Sequence, residues 1–231
     1  MADPPVHRFP GRDGLELVYR ETGEGRPLVL LPGFTSTGLH WIHRDPVATL
    51  AEHGYRVILP DPRGHGDSAR PHDPRSYPPD VLADDGLALI NWLRLDDYDL
   101  GGYSLGARIV PRMLVRGVGP AHAIVAGQGL DALDRTTSRA GRRRHVLSAL
   151  THRGVIEPGS PDEELARWIT QSGGDPQALC HVLDTLVATL PSARFTRVPG
   201  NHVTALTSPE LVAAITAFLA RSSSRADLRN E

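Results

Sequence analysis

A chain of 231 residues with 40 % hydrophobic content suits one large domain with a sizeable core and excludes a disordered polypeptide. Its formal charge of -2 provides no bulk attraction to nucleic acid or to an anionic membrane. All 25 cationic side chains are arginine, which reads as codon bias and not as a phosphate-binding device, and the single cysteine, Cys180, excludes an intrachain disulfide or a cysteine-built metal cluster.

In chain order, "HRFPGRDGLELVYRETGEG" reads as two short strands around the turn "GRDG". The run Leu28–Leu31 in "RPLVLLPGF" is continuously apolar, as in a strand covered on both faces. One helix is predicted from Gly38 to His53, followed by a buried strand at Val57–Leu59 that runs into the Gly/Pro-rich turn of "DPRGHGDS". Pro79 to Leu93 reads as a helix with proline near its start, "YDLGGYS" as a strand, Leu105–Val115 as a helix and "AHAIVAGQG" as a further strand. Strands alternating with helices of this size predict an α/β fold: a mostly parallel central sheet with helices on both faces. From residue 130 to about 190 the chain turns polar, rich in Arg and Asp and helical in pattern, and is expected to form an inserted helical cap. "ARFTRV" then reads as a last strand, "PGNHVTAL" as a loop and Pro209–Leu219 as an amphipathic helix. The expected organisation is a core of residues 1–129 and 191–221, a cap of residues 130–190 and a flexible tail of residues 222–231. The opening "MADPPVHRFPGRDG" has no apolar stretch of the signal-peptide kind, and no apolar run is long enough to span a bilayer, so a soluble cytoplasmic protein is expected.

Chemistry concentrates at "DLGGYSLGARIV". A strand, then Gly-x-Ser-x-Gly, then a helix is the sequence form of a nucleophile elbow, with Ser104 held in a strained turn above the sheet. Gly102 and Gly106 let strand and helix approach closely, and the helix N-terminus favours negative charge developing nearby. After the first long strand, "LLPGFTST" can present the N–H of Phe34 to an oxyanion, with the N–H of Leu105 as second donor. The turn "DPRGHGDS" reads as scaffolding, and His65 in it as structural. Among the eleven histidines, position alone singles out His202. His202 follows the last predicted strand at the carboxyl edge of the sheet, where it can serve as base toward Ser104.

With "LLPGFTSTGLHW", "VILPDPRGHGDS", "LGGYSLGA" and "RVPGNHVTALTSPELVAAITAFL" on the page, the chain resembles the α/β-hydrolase superfamily, in the branch with a helical cap. The resemblance covers Leu30 to about Gly129 and Ala193 to Leu219. It implies Ser104 as nucleophile, His202 as base, and Phe34 and Leu105 as oxyanion donors. It also implies an acid on a strand-and-turn unit before the last strand, which "HVLDTLVATLPSARFTRV" lacks. Asp131, just past the strand "AIVAGQG", is the first stand-in. Asp175 is the second, although "ELARWIT" before it reads as helix; a Ser-His dyad without acid is the third. The arginines of "SRAGRRRHVL" read as a solvated face, and Trp41 and Trp168 as packing residues.

The activity implied is a serine hydrolase acting on a small ester or related acyl compound, with neither metal nor cofactor. Chemistry that needs an aspartate nucleophile, such as dehalogenation or epoxide opening, is disfavoured by Ser104, while amidase, lactonase, thioesterase and perhydrolase activities stay open. The alternative is a weak or inactive relative that keeps the scaffold for binding or sensing a ligand.

Overall fold

The computed structural model describes residues 3–42, 45–127, 160–171, 173–184 and 209–226. They contain one six-stranded sheet: β1 (His7–Pro10), β2 (Glu16–Thr22), β3 (Arg26–Leu31), β4 (Tyr55–Asp61), β5 (Asp99–Tyr103) and β6 (His122–Ala126), in the spatial order β1-β2-β4-β3-β5-β6. The β1–β2 hairpin is antiparallel and joins β4 antiparallel; β4–β3, β3–β5 and β5–β6 are parallel. The helices are α1 (Gly38–Ile42), α2 (Asp45–Glu52), α3 (Val81–Leu93), α4 (Gly106–Val115), α5 (Pro161–Gln171), α6 (Pro176–Asp184) and α7 (Pro209–Ala226).

The apolar runs explain the layering. Along β3, side chains alternate between faces with period two. Val29 and Leu31 enter a core shared with Leu89 of α3 and with Ile109 and Met113 of α4. Leu28 and Leu30 enter the opposite core, with Val47 and Leu50 of α2 and with Leu211 and Leu219 of α7. β4 repeats the pattern, with Ile58 on the first side and Val57 and Leu59 on the second. A strand buried on both faces has no place for polar residues, which is why these segments read as unbroken apolar runs. Fully burying each such side chain contributes about 1.5–3 kcal/mol.

Two predicted boundaries change. The single helix predicted from Gly38 to His53 appears as α1 and α2, on either side of residues 43–44. The last helix, predicted to stop at Leu219 before a loose tail, continues to Ala226, because "RSSSRA" holds no Gly or Pro to end it. "ELARWIT" is helical, within α5, as read from its pattern. The predicted strand "ARFTRV", the arginines of "SRAGRRRHVL", Asp131 and His202 lie outside the described residues. No helix among the described residues is long and apolar enough to cross a membrane.

Candidate active site

The carboxyl ends of the parallel strands β3, β4 and β5 lie on one edge of the sheet, where open α/β sheets place their ligands. Ser104 stands at that edge, between the fully buried strand β5 and helix α4, with φ +54°. A left-handed conformation at a non-glycine residue costs about 1–3 kcal/mol and persists only where its surroundings enforce it. Here they do. The Ser104 N–H donates to the Ala126 carbonyl of β6 at 2.9 Å, and the Gly106 N–H donates to the Pro32 carbonyl at 3.0 Å. The flanking glycines are steric requirements. A Cβ on Gly102 would lie 2.7 Å from the Ala107 nitrogen and overlap the Gly106 backbone, and one on Gly106 would run into the Leu31 carbonyl. The helix crosses the strand at a distance that leaves no room for a methyl group.

The loop after β3 is fixed against this turn. Gly33 lies so near that a Cβ on it would be 3.4 Å from the Ser104 Cβ. Residues 33–36 form a β-turn closed by the Ser36 N–H on the Gly33 carbonyl at 3.0 Å, with Phe34 and Thr35 at its centre. Thr35 has φ +64°, the value that a type II turn demands at its third position and that glycine normally supplies. Among the described residues, no backbone carbonyl accepts from the N–H of Phe34 or of Leu105. Phe34 packs against the apolar cluster that contains Leu105. Two N–H groups without backbone partners among the described residues, one of them at the N-terminus of α4, can together receive a developing negative charge.

Behind the loop, the "DPRGHGDS" turn acts as a frame. Asp61, buried at the end of β4, accepts the Gly38 N–H at 2.7 Å through Oδ1 and the Asp67 N–H at 3.0 Å through Oδ2, so it ties the β3 loop to the β4 loop. Burial raises its pKa, and the two N–H groups and the Arg20 guanidinium oppose that rise. Ser68 accepts the Val18 N–H at 2.9 Å and donates to the Asp61 carbonyl at 2.6 Å. Arg63 is completely buried. It forms two-pronged pairs with Asp85 (2.9 and 2.9 Å) and Asp13 (2.7 and 2.7 Å) and also donates to the Ser76 carbonyl at 2.8 Å. Burial alone would lower its pKa, but the paired carboxylates outweigh that and keep it charged. The same pairing holds Asp13 below its usual value. His65 is buried edge-on to Phe34 (ring centroids 5.9 Å apart), with Nδ1 3.1 Å from the Arg63 carbonyl. Burial lowers its pKa to about 4, so it is neutral near pH 7 and has too little proton affinity for a base there.

Of the residues singled out from the sequence, Ser104, Phe34 and Leu105 come together. Asp175 stands apart in role. It starts α6, with Oδ1 accepting the N–H groups of Gln177 (3.0 Å) and Ala178 (3.1 Å) and Oδ2 lying 2.7 Å from His72 Nε2. Burial would raise its pKa, but His72 and the two helix N–H groups together hold it below the usual carboxylate value. Both oxygens are occupied in capping and pairing. Trp41 packs edge-on to Tyr103, as expected of a core residue. Trp168, also read as packing, instead donates from Nε1 to the Thr35 hydroxyl at 2.8 Å. Neither that contact nor the Arg63 frame had a local signal. Trp168 and Thr35 are 133 residues apart, and Arg63 reaches Asp85 and Asp13 across 22 and 50 residues.

Comparison with known proteins agrees with this fold. Residues 26–128 match a family model described as alpha/beta hydrolase fold. The chain is 37 % identical over 105 residues to the non-heme chloroperoxidase CPO-A1 of Kitasatospora aureofaciens, a match covering 46 % of this chain and 37 % of that protein. It is 32 % identical over 180 residues to epoxide hydrolase A of Mycobacterium tuberculosis, covering 74 % of this chain and 52 % of that one. The matches thus span between about two fifths and half of these relatives' lengths. Among solved structures, an esterase from Exiguobacterium antarcticum superposes with a TM-score of 0.61 at 21 % identity, over 79 % of this chain and 73 % of that one, which speaks to the fold.

Proposed function

The chain belongs to the α/β-hydrolase superfamily, and on that premise we propose that it is a serine hydrolase cleaving a small ester or related acyl compound. The observation that carries this reading is Ser104: a serine at φ +54° between a buried strand and a helix, with the Phe34 turn packed against it. Such a conformation is costly and serves packing poorly, but it lifts a hydroxyl clear of the sheet edge. A relative that is an epoxide hydrolase does not change the reading, because serine at this position disfavours chemistry that needs a carboxylate nucleophile.

In this mechanism Ser104 Oγ attacks the acyl carbon while His202 takes its proton. The carbonyl oxygen becomes an oxyanion between the N–H groups of Phe34 and Leu105, with the α4 N-terminus behind it. Collapse expels the alcohol, which leaves with the proton from His202. Water then gives a proton to His202 and attacks the acyl-enzyme, and the second collapse returns Ser104 its proton and releases the acid. Asp131 is the proposed carboxylate that orients His202. No step calls for a metal or an organic cofactor.

The test combines stoichiometric labelling by a fluorophosphonate with turnover of p-nitrophenyl esters of increasing acyl length. Rapid labelling at Ser104 together with ester turnover is the expected result. Wild-type protein that neither labels nor turns over any ester in the series would be a ligand-binding protein on a hydrolase scaffold, and the reading would fail.

A further inference from the structure

Thr35 combines three features that belong together. Its φ of +64° is an outlier for a β-branched side chain, whose second substituent crowds the backbone there. It sits at the turn position that favours glycine, immediately after Phe34, the proposed oxyanion donor. Its side chain is buried, and its hydroxyl accepts a hydrogen bond from Trp168 Nε1 at 2.8 Å. Nothing in turn chemistry recommends threonine over glycine at this place. What threonine adds is the hydroxyl, and the hydroxyl meets Trp168.

The rest of the loop is held from below. Gly33 rests on Ser104, and Gly38 donates to buried Asp61. Trp168 adds a further tie: it lies on α5, in the segment 130–190, the residue is 42 % exposed, and its ring also approaches His40 at 5.9 Å. A residue so exposed contributes little to the core. Its directional bond is to the central residue of the turn.

We infer that Trp168 is a positioning residue that fixes the Phe34 N–H in the oxyanion site by holding the Thr35 hydroxyl, so that α5 is coupled to transition-state stabilisation. The inference rests on the serine-hydrolase reading. Trp168 adds nothing to substrate affinity; it keeps the Gly33–Ser36 turn in the one geometry that aims the donor. Loss of an oxyanion donor costs about 10²–10³ in kcat, so a donor left in place but poorly aimed should cost about ten-fold.

The experiment is a double-mutant cycle on a p-nitrophenyl ester, with Trp168→Phe, which keeps a ring and removes the N–H, Thr35→Val, which keeps the shape and removes the hydroxyl, and the double variant. Each single variant should lose about ten-fold in kcat with KM within about two-fold, and the double variant should fall no further than the worse single variant. Thr35→Ser, which retains the hydroxyl, should recover most of the turnover, and fluorophosphonate labelling should slow in parallel with kcat. Unchanged kcat, additive losses, or a change confined to KM in Trp168→Phe would overturn the inference, the last because it would make Trp168 a substrate contact. A wild-type enzyme that labels and turns over while the variants match it refutes this inference alone; a wild type that does neither refutes the hydrolase reading and this inference with it.

Discussion

The backbone N–H of Ser104 donates to the carbonyl of Ala126, the last residue of β6, at 2.9 Å. The parallel ladder that pairs Tyr103 with Ala126 is therefore extended one step into the turn, and a neighbouring strand holds the strained residue. Strain enforced from outside can be relieved by substitution without loss of the fold. Ser104→Ala should abolish ester turnover and probe labelling and leave the melting temperature close to that of the wild type. Ser104→Gly should be equally inactive yet about 1 kcal/mol more stable, since glycine adopts φ +54° freely. Urea unfolding of the two variants checks the ranking, and residual esterase activity in purified Ser104→Ala protein would refute the mechanism.

Gly106 sets two effects against each other. Alanine is a better helix former than glycine by about 1 kcal/mol, and α4 begins at this residue. Its Cβ would nevertheless run into the carbonyl of Leu31, on a central strand that cannot recede. Overpacking against rigid backbone costs about 1–3 kcal/mol. The steric term should win, so that Gly106→Ala lowers the urea midpoint by an amount corresponding to on the order of 2 kcal/mol at unchanged m-value. A variant as stable as the wild type would mean that strand and helix separate more easily than the geometry indicates.

His65 gives stability a pH dependence of definite sign. Its native pKa is depressed to about 4 by burial. An unfolded histidine titrates near ~6.5, so as the pH falls below that value the unfolded chain binds a proton that the native chain refuses. Stability contributed by the neutral native imidazole is complete above about pH 6.5 and is lost progressively down to about pH 4, by on the order of 3 kcal/mol in all. His65→Asn retains a donor toward the Arg63 carbonyl and removes the titration. Denaturant unfolding at pH 7, 6 and 5 should therefore show a steeper decline in wild type than in His65→Asn, and parallel declines would contradict the assignment.

The carboxylates Asp131 and Asp175 should separate cleanly. Both oxygens of Asp175 are committed to the start of α6 and to His72. Asp175→Asn keeps a capping oxygen and should leave turnover unchanged, whereas Asp175→Ala should cost about 1 kcal/mol of stability through the lost cap. If Asp131 orients His202, Asp131→Asn should lower turnover steeply, toward the ~10⁴-fold loss of the template protease, with little change in melting temperature. Equal turnover in wild type and Asp131→Asn would leave His202 working without that carboxylate.

How much of this was legible follows from how local each signal is. β3 and β4 could be read because a strand covered on both faces needs an unbroken apolar run. The Ser104 turn could be read because its requirements are met within five residues, from Gly102 to Gly106. Thr35 could not, since its chemistry argues against the conformation it adopts and its reason is a tryptophan far along the chain. Nor could the burial of Arg63, whose carboxylate partners come from the β1–β2 turn and from α3. The one-helix reading of residues 38–53 passed over Asp45-Pro46, a helix-start signal at the beginning of α2.

Arg63 brings three separate stretches of chain to one point: the hairpin turn at Asp13, the turn at Ser76 and helix α3 at Asp85. Removing one partner from a buried charge is costlier than never having built the pair. The turn at residues 11–14 is therefore a keystone despite its place at the surface. A nick there, or a circular permutation opened there, would free one carboxylate of the trio. Chain opening that is tolerated elsewhere on this surface would be felt here at the frame beneath the β3 loop, at a distance in sequence from every residue assigned to chemistry.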